Sequence, residues 1–161
     1  MTYKLDAYCG LYCGACFIMT AYNQNRTDCI PAEWLSSIQN MEFKCYGCKS
    51  EILFENCRGC NIRKCTQSKG IELCNECSEY PCKEFKRIEK YNLPHHNVSV
   101  HSFDIIKEVG VQTWLKQQKE RWLCSKCKHP FSWYEENCIK CGSELFNSVK
   151  EDQKLKNKST N

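Results

Sequence analysis

The sequence lacks the features of secreted, membrane-spanning and hydrolytic proteins. No stretch approaches the run of about 18 apolar residues that forms a transmembrane helix, so we expect no membrane association. The first residues, MTYKLDAYCG, contain no apolar h-region and no small-residue cleavage site, which predicts a cytoplasmic protein. There is no Ser-His-Asp triad, phosphate-binding loop or dinucleotide fingerprint, and no carboxylate pair spaced for acid–base chemistry. These absences favour a protein that is not an enzyme.

Cysteine, in contrast, is abundant: the chain of 161 residues contains 16 cysteines. At this density a short chain is usually stabilised by disulfides or by metal ions. The cysteines occur mainly as close pairs, which suits one ion bound by two thiolates, whereas disulfide frameworks have longer and less regular spacings. Together with the expected reducing compartment, this pattern predicts metal binding. Metal would supply folding free energy that apolar burial cannot provide in the Cys-dense segment from residue 9 to 82.

The net charge gives no support for nucleic-acid binding. The formal value of +4 counts every cysteine as neutral. A zinc ion held by four thiolates carries a charge of about −2, so three or four such sites would change the total to roughly −2 to −4. Several basic residues next to the cysteines would then balance this charge, namely Arg58, Arg63, Lys64, Lys126, Lys128 and Lys140.

The clearest metal-binding pattern lies near the C-terminus, in Cys124-x2-Cys127-x10-Cys138-x2-Cys141. A pair of cysteines two residues apart forms a knuckle, and two facing knuckles complete a tetrahedron around one ion. Ten intervening residues suffice for a β-hairpin, so the pattern predicts an antiparallel zinc ribbon. A rubredoxin-like iron site uses the same ligands and is the alternative. Either site is coordinatively closed, hence structural or redox-active rather than hydrolytic.

A second pattern, Cys9-x3-Cys13-x2-Cys16, has the spacing of the cluster-binding triplet of radical S-adenosylmethionine enzymes. Those enzymes need a large α/β barrel, for which this chain is too short. The triplet therefore predicts a zinc site completed by a distant cysteine, with an iron–sulfur cluster as the alternative. Cys29 and Cys82 are candidates for the fourth ligand.

The middle of the chain contains eight further cysteines whose pairing the spacing leaves open. The first four and the last four have the spacing of two separate sites. Interleaving is equally compatible, with the first knuckle joining the knuckle at residues 74 and 77 in a cross-brace. The eight residues are Cys45, Cys48, Cys57, Cys60, Cys65, Cys74, Cys77 and Cys82.

The remaining chain predicts a small α+β, metal-stabilised fold of short helices around cysteine knuckles. We expect a cysteine-rich metal-binding domain at 1–92, a linker and connecting helix at 93–122, the zinc ribbon at 123–146 and a disordered tail at 147–161. Gly70 is expected to end one helix and Gly110 to interrupt another, while residues 92–103 show no periodicity. The histidines, His95, His96, His101 and His129, are expected to lie at the surface rather than to bind metal.

Five motifs of this chain resemble those of the DUF3795 family. They are YCGLYCGAC at 8–16, CYGC at 45–48, CRGCNIRKC at 57–65, KGIELCNECSEYPC at 69–82 and GVQTWLKQQKERWLCSKC at 110–127. The family comprises uncharacterised cysteine-rich proteins of bacteria and archaea, and the resemblance covers roughly residues 3–146. It implies a zinc-binding prokaryotic cytoplasmic protein and no particular activity. Cys29 does not belong to the family pattern.

Together these patterns predict a monomer that binds three or four zinc ions and has a structural, adapter or regulatory role toward a protein or nucleic-acid partner. The alternative is an iron–sulfur or iron redox protein that uses Cys9, Cys13, Cys16 and part of the middle group. A third hypothesis, a thiol or metal-dependent enzyme, requires a free reactive cysteine. The predicted metal ligands are Cys9, Cys13, Cys16, Cys45, Cys48, Cys57, Cys60, Cys65, Cys74, Cys77, Cys82, Cys124, Cys127, Cys138 and Cys141.

Overall fold

The computed structural model describes residues 2–159, and in this part of the chain the regular secondary structure is helical. Two 3-10 turns, Cys13–Ala15 and Cys74–Glu76, lie among the cysteines. The eight α-helices are α1 (Phe17–Gln24), α2 (Ala32–Ile38), α3 (Glu55–Arg58), α4 (Asn61–Lys69), α5 (Lys83–Lys90), α6 (Pro94–Val109), α7 (Val111–Arg121) and α8 (Ser148–Ser159).

The predicted α+β fold with an antiparallel zinc ribbon is wrong. Between residues 2 and 159 there is no strand, and the C-terminal cysteine segment contains only two isolated bridges, Leu123 with Pro130 and Asn137 with Glu144. The amide of Trp133, expected in a strand, bonds to the carbonyl of Ala15 at 3.0 Å.

Glycine positions were predicted correctly where a helix has to end. Gly70 follows α4 with φ of 64°, and its amide bonds to the Gln67 carbonyl at 3.2 Å. This left-handed conformation is the C-terminal cap that glycine adopts at little cost. Gly110, with φ of 80°, separates α6 from α7 as expected.

The segment 92–103, expected to be an irregular connection, is instead mostly helical. Helix α6 begins at Pro94, a residue that suits the first turn because its missing amide has no helical partner there. Its buried residues include Ser99, Phe103 and Ile106, so packing against the protein core stabilises the helix despite its weak sequence periodicity.

The expected disordered tail forms helix α8 in the described residues, whereas residues 160–161 of that tail lie outside them. Helix α8 packs against α6. Asp152 is only 5% exposed and accepts a hydrogen bond from the Asn97 side chain at 3.0 Å, and Arg121 pairs with Glu151. Sequence reasoning missed this helix because polar contacts rather than an apolar stripe fasten it.

Two apolar clusters form the interior. The larger surrounds Phe85 and Trp114, which are fully buried, and includes Cys124 and Cys138 of the C-terminal segment. The smaller is built from α1 and its neighbours, including Met19, and extends to Cys45. Cysteine sulfur is thus part of both cores. Among the described residues, no helix has the length and apolar character needed to cross a membrane.

Candidate metal centres

The four C-terminal cysteines form a ready tetrathiolate site. The sulfur atoms of Cys124, Cys127, Cys138 and Cys141 all lie within 4.8 Å of one another. The Sγ atoms of Cys124 and Cys141 are 3.7 Å apart, and those of Cys127 and Cys138 are 3.5 Å apart. A tetrahedral ion with metal–sulfur bonds of about 2.3 Å separates its ligands by about 3.8 Å. The side chains are therefore already spaced for one zinc or iron ion.

Two similar turns position these sulfur atoms. The amide of Lys128 bonds to the Cys124 carbonyl at 2.8 Å, and the amide of Gly142 bonds to the Cys138 carbonyl at 2.7 Å. Lys128 and Gly142 both have positive φ, 60° and 70° respectively, which closes each turn after its second cysteine. The knuckles are therefore present although the ribbon strands are not.

Hydrogen bonds from Ser143 favour the thiolate form of two cysteines of this site. Its Oγ lies 3.2 Å from Cys124 Sγ and 3.1 Å from Cys141 Sγ. The hydrogen bond from Ser143, followed by that from the Cys127 backbone, lowers the pKa of Cys124 to about 6. Ser143 also lowers the pKa of Cys141. For Cys127, the His129 backbone lowers the pKa, but burial and neighbouring thiols outweigh it and raise the pKa to about 12.

The N-terminal triplet lies beside four cysteines of the middle group. The thiols of Cys48 and Cys60 neighbour Cys9, and those of Cys16 and Cys45 neighbour Cys57. Of the pairings left open by the sequence, the structure therefore brings the triplet together with residues 45, 48, 57 and 60. In residues 2–159, no three sulfur atoms of this group all lie within 4.8 Å of one another, as those of the C-terminal site do. Metal binding here stays a prediction.

The last four middle cysteines form a third neighbourhood. Burial, followed by the neighbouring thiols of Cys82, Cys65 and Cys77, raises the pKa of Cys74 to about 12. Lys69 Nζ lies 3.1 Å from Cys77 Sγ and, after a backbone hydrogen bond, contributes to lowering the pKa of that thiol. Cys74 therefore neighbours the cysteines at 65, 77 and 82.

Cys29 is a core residue. Its side chain is 2% exposed, and its thiol lies 3.5 Å from the Phe17 carbonyl and 3.8 Å from the Arg26 carbonyl, to which it donates. Burial raises the pKa of Cys29 to about 11. A protonated, buried thiol is a poor nucleophile, which disfavours Cys29 as the reactive cysteine of an enzyme.

The histidines do not join the cysteine groups, but the expectation of surface positions is wrong for His95. It is 7% exposed, its ring stacks on Trp133 with centroids 4.5 Å apart, and its Nδ1 pairs with the Tyr134 hydroxyl. Burial holds the pKa of His95 well below its ordinary value and lowers that of His96 to about 4. His95 therefore packs as a neutral aromatic residue.

Arg63, expected from the sequence to balance thiolate charge, donates from Nε to the Cys48 carbonyl at 3.0 Å and so connects α4 to the first middle knuckle. Sequence reasoning missed two polar residues that act on the cysteines, Ser143 and Lys69. Of these two, only Ser143 had a sequence signal, its position two residues after Cys141. Lys69 precedes Cys77 by eight residues, and no spacing rule relates a lysine to a thiolate at that distance in sequence.

Comparison with known proteins shows which of the cysteine groups belong to a described family. The family model described as "Protein of unknown function (DUF3795)" matches residues 5–87, just over half of the chain. The chain belongs to the DUF3795 family. The match ends before the C-terminal cysteines, so it is shorter than the resemblance expected for residues 3–146. Searches of curated proteins and of solved structures find no significant match. The DUF3795 segment therefore includes the first eleven predicted ligands, and the C-terminal site lies outside it.

Proposed function

We propose that the protein is a multi-metal-binding protein with a structural or interaction role, in which the C-terminal four cysteines hold one zinc ion. The observation that carries this proposal is the convergence of four sulfur atoms at the spacing of a single tetrahedral ion. Four thiolates complete the coordination of zinc and leave no position for substrate. This favours a structural role over a hydrolytic one.

The surroundings of the site support a structural role. Cys124 and Cys138 belong to the larger apolar cluster, so the ion would lie at the edge of the protein core. Between the two knuckles, Trp133 donates its amide to Ala15 and accepts a hydrogen bond from the Ser148 amide at 2.8 Å. The ion would thus tie together the N-terminal 3-10 turn, the C-terminal knuckles and the start of α8. A protein or nucleic-acid partner would then bind to a surface whose conformation the metal stabilises.

The test is the metal content of purified protein and of Cys124→Ser. We expect the substitution to remove one zinc ion per chain and to make residues 122–147 sensitive to protease, because three remaining thiolates cannot close the site. Ser125→Ala is the matched control, since Ser125 is an exposed residue of the same knuckle. Equal metal content in Cys124→Ser and the control would contradict the proposal, as would iron in place of zinc at this site.

A further inference from the structure

A groove of about 620 Å³ lies beside the C-terminal cysteine site. Its walls come from residues 26–32, which lead into α2, from residues 134–139 and from Val149 of α8. Cys138, one of the four predicted zinc ligands, belongs to the lining. Pockets that bind small ligands have volumes of about 300–1,000 Å³, so this groove has room for several side chains of a partner.

Polar contacts hold the two main walls of the groove in a fixed arrangement. Arg26 pairs with Asp28 on its own wall, at 3.0 Å, and with Glu135 on the opposite wall. The Ser132 amide donates to the second carboxylate oxygen of Glu135 at 2.6 Å, and the Ser132 hydroxyl donates to the Cys29 carbonyl at 3.2 Å. These contacts neutralise the charge of Arg26 and form the groove without a ligand.

Apolar side chains form much of the surface of the groove. Ile139 is 52% exposed, although isoleucine usually lies in the protein interior. The knuckle holds it there, since the Cys138 amide bonds to the Ser143 carbonyl at 2.8 Å and the Gly142 amide bonds to the Cys138 carbonyl at 2.7 Å. The apolar lining residues are Ile30, Pro31, Ala32, Tyr134, Ile139 and Val149. A fixed apolar surface that is open to solvent favours contact with another molecule.

The charged side chains around this surface are mainly acidic. One guanidinium and three carboxylates line the groove and give a net charge of −2, from Arg26, Asp28, Glu135 and Glu136. The Asp28 side chain is 60% exposed, and Glu136 is exposed as well. A zinc ion held by the four neighbouring thiolates adds a charge of about −2. Such a surface repels the phosphates of nucleic acid and attracts lysine and arginine.

The residues that surround the groove leave this acidic character in place. Burial raises the pKa of Tyr134, and the carboxylate of Glu33, an exposed residue of α2, contributes to the rise. The two nearest lysines in sequence, Lys140 and Lys150, lie outside the lining, and Lys150 pairs with Glu144. The groove therefore combines an apolar surface with an acidic edge.

We infer that the groove binds a short segment of a partner protein in which a large apolar side chain lies next to lysine or arginine. The apolar side chain packs against Ile139, and the cations lie beside Asp28 and Glu136. This inference rests on the proposed interaction role and deepens it, because it assigns a surface and a cationic protein partner. A nucleic acid and a second copy of the chain are the other occupants, and the test separates them.

The test is the selection of random peptides displayed on phage against wild-type protein purified without oxygen. We expect the enriched peptides to combine leucine, isoleucine or phenylalanine with lysine or arginine. Ile139→Ser should weaken the binding of an enriched peptide, measured by fluorescence anisotropy, by about tenfold or more, because the peptide no longer buries an isoleucine side chain. Glu136→Gln should weaken it by about two- to fivefold at low salt, because one exposed charge pair is lost.

Ile105→Ser and Glu108→Gln are the matched controls, because both residues are exposed on α6 and lie outside the groove. Both variants should bind the peptide as the wild type does. Absence of enriched peptides, enriched peptides without basic residues, or equal binding to Ile139→Ser and Ile105→Ser would overturn the inference. Binding of a single-stranded oligonucleotide that Ile139→Ser weakens, or self-association in sedimentation that it abolishes, would also overturn it.

The metal content of each variant separates this inference from the proposed zinc site. Ile139→Ser and Glu136→Gln change exposed side chains and should keep the C-terminal ion. Wild-type protein that holds this ion but enriches no cationic peptide would contradict the docking groove and leave the zinc site intact. Absence of zinc from the wild type would contradict the proposed site, which Cys124→Ser tests independently of any peptide.

Discussion

The two best-defined cysteine groups use the same side chain in different ways. At the C-terminal site, four sulfur atoms lie within 4.8 Å of one another, and Ser143 lowers the pKa of Cys124 to about 6. In the N-terminal group (the triplet with residues 45, 48, 57 and 60), no three cysteines of the described residues have sulfur atoms all within 4.8 Å of one another, and burial followed by neighbouring thiols raises the pKa of Cys13. The difference shows that CxxC spacing in the sequence does not by itself determine how closely the sulfur atoms of a group approach one another.

The two groups also differ in what supports them. The C-terminal site borders a core with Phe85, Trp114 and other large aromatic residues. The N-terminal group lies among short helices and turns and touches both apolar clusters: Cys9 and Cys60 pack against the larger, and Cys13 and Cys57 against the smaller. Most of the predicted ligands lie between residues 9 and 82, so we expect this part of the fold to depend more strongly on metal.

Removal of all metal is expected to have the largest effect and to separate the two regions. Binding of structural zinc contributes about 10–16 kcal/mol in small domains, so chelation should unfold residues 5–82. Helices α6 and α7 have aromatic packing and should keep partial protection. Hydrogen exchange before and after chelation under reducing conditions measures this. If amides throughout the metal-free protein stayed protected from exchange, the fold would not depend on metal. If protection were lost everywhere, the N-terminal region would not depend on metal more than helices α6 and α7 do.

Phe85→Ala tests how much apolar packing contributes to stability independently of metal. Phe85 is fully buried and packs against Tyr80 and Phe103, with ring centroids 4.7 and 5.7 Å away. Its truncation should lower the free energy of unfolding by about 3–5 kcal/mol through lost burial and cavity formation. Phe85→Leu, which keeps most of the volume, should cost less. Urea denaturation measures both, and the metal content should not change. Loss of metal from Phe85→Ala would mean that the two kinds of stabilisation are not separable.

The sequence predicted the cysteine groups better than the fold that holds them. Regular CxxC pairs directly indicate ligands because their spacing is set by one short turn, and Gly70 and Gly110 indicate helix ends in the same local way. Helix α8 and the pairing of Trp133 with Ala15 depend on contacts between residues far apart in sequence. No local pattern encodes such contacts, which is why the predicted ribbon and tail were wrong. The neighbours of Cys13 were unpredictable for the same reason.

Ser143→Ala should weaken the C-terminal site without changing the N-terminal one. The hydroxyl bonds to Cys124 and Cys141, and loss of a hydrogen bond to metal ligands typically reduces affinity by about 10–100-fold. Competition with a chromophoric chelator measures the affinity of the single C-terminal ion. Ser125→Ala, in the same segment but exposed, should bind as the wild type does. If the two variants release metal alike, Ser143 has no role in binding.

The pH dependence of stability gives the smallest expected effect and involves neither group of cysteines directly. Burial keeps the pKa of His95 well below 6.5 in the folded protein, whereas the unfolded chain binds a proton near pH 6.5. The unfolded state therefore binds more protons as pH falls, and stability should decrease from about pH 6.5 downward. His95→Gln should be less stable near pH 7 but should show a shallower decrease. Urea midpoints over this range measure both slopes, and parallel curves would contradict the role of His95.

Counting metal and sulfide per intact chain, by native mass spectrometry on protein purified without oxygen, tests the central claim most directly. The account predicts more than one metal atom per chain: zinc at the C-terminal four cysteines and further metal at the N-terminal group. Acid-labile sulfide with iron would identify an iron–sulfur cluster among the N-terminal cysteines, and zinc without sulfide would identify zinc sites there. A chain that carries one metal atom or none would contradict the account.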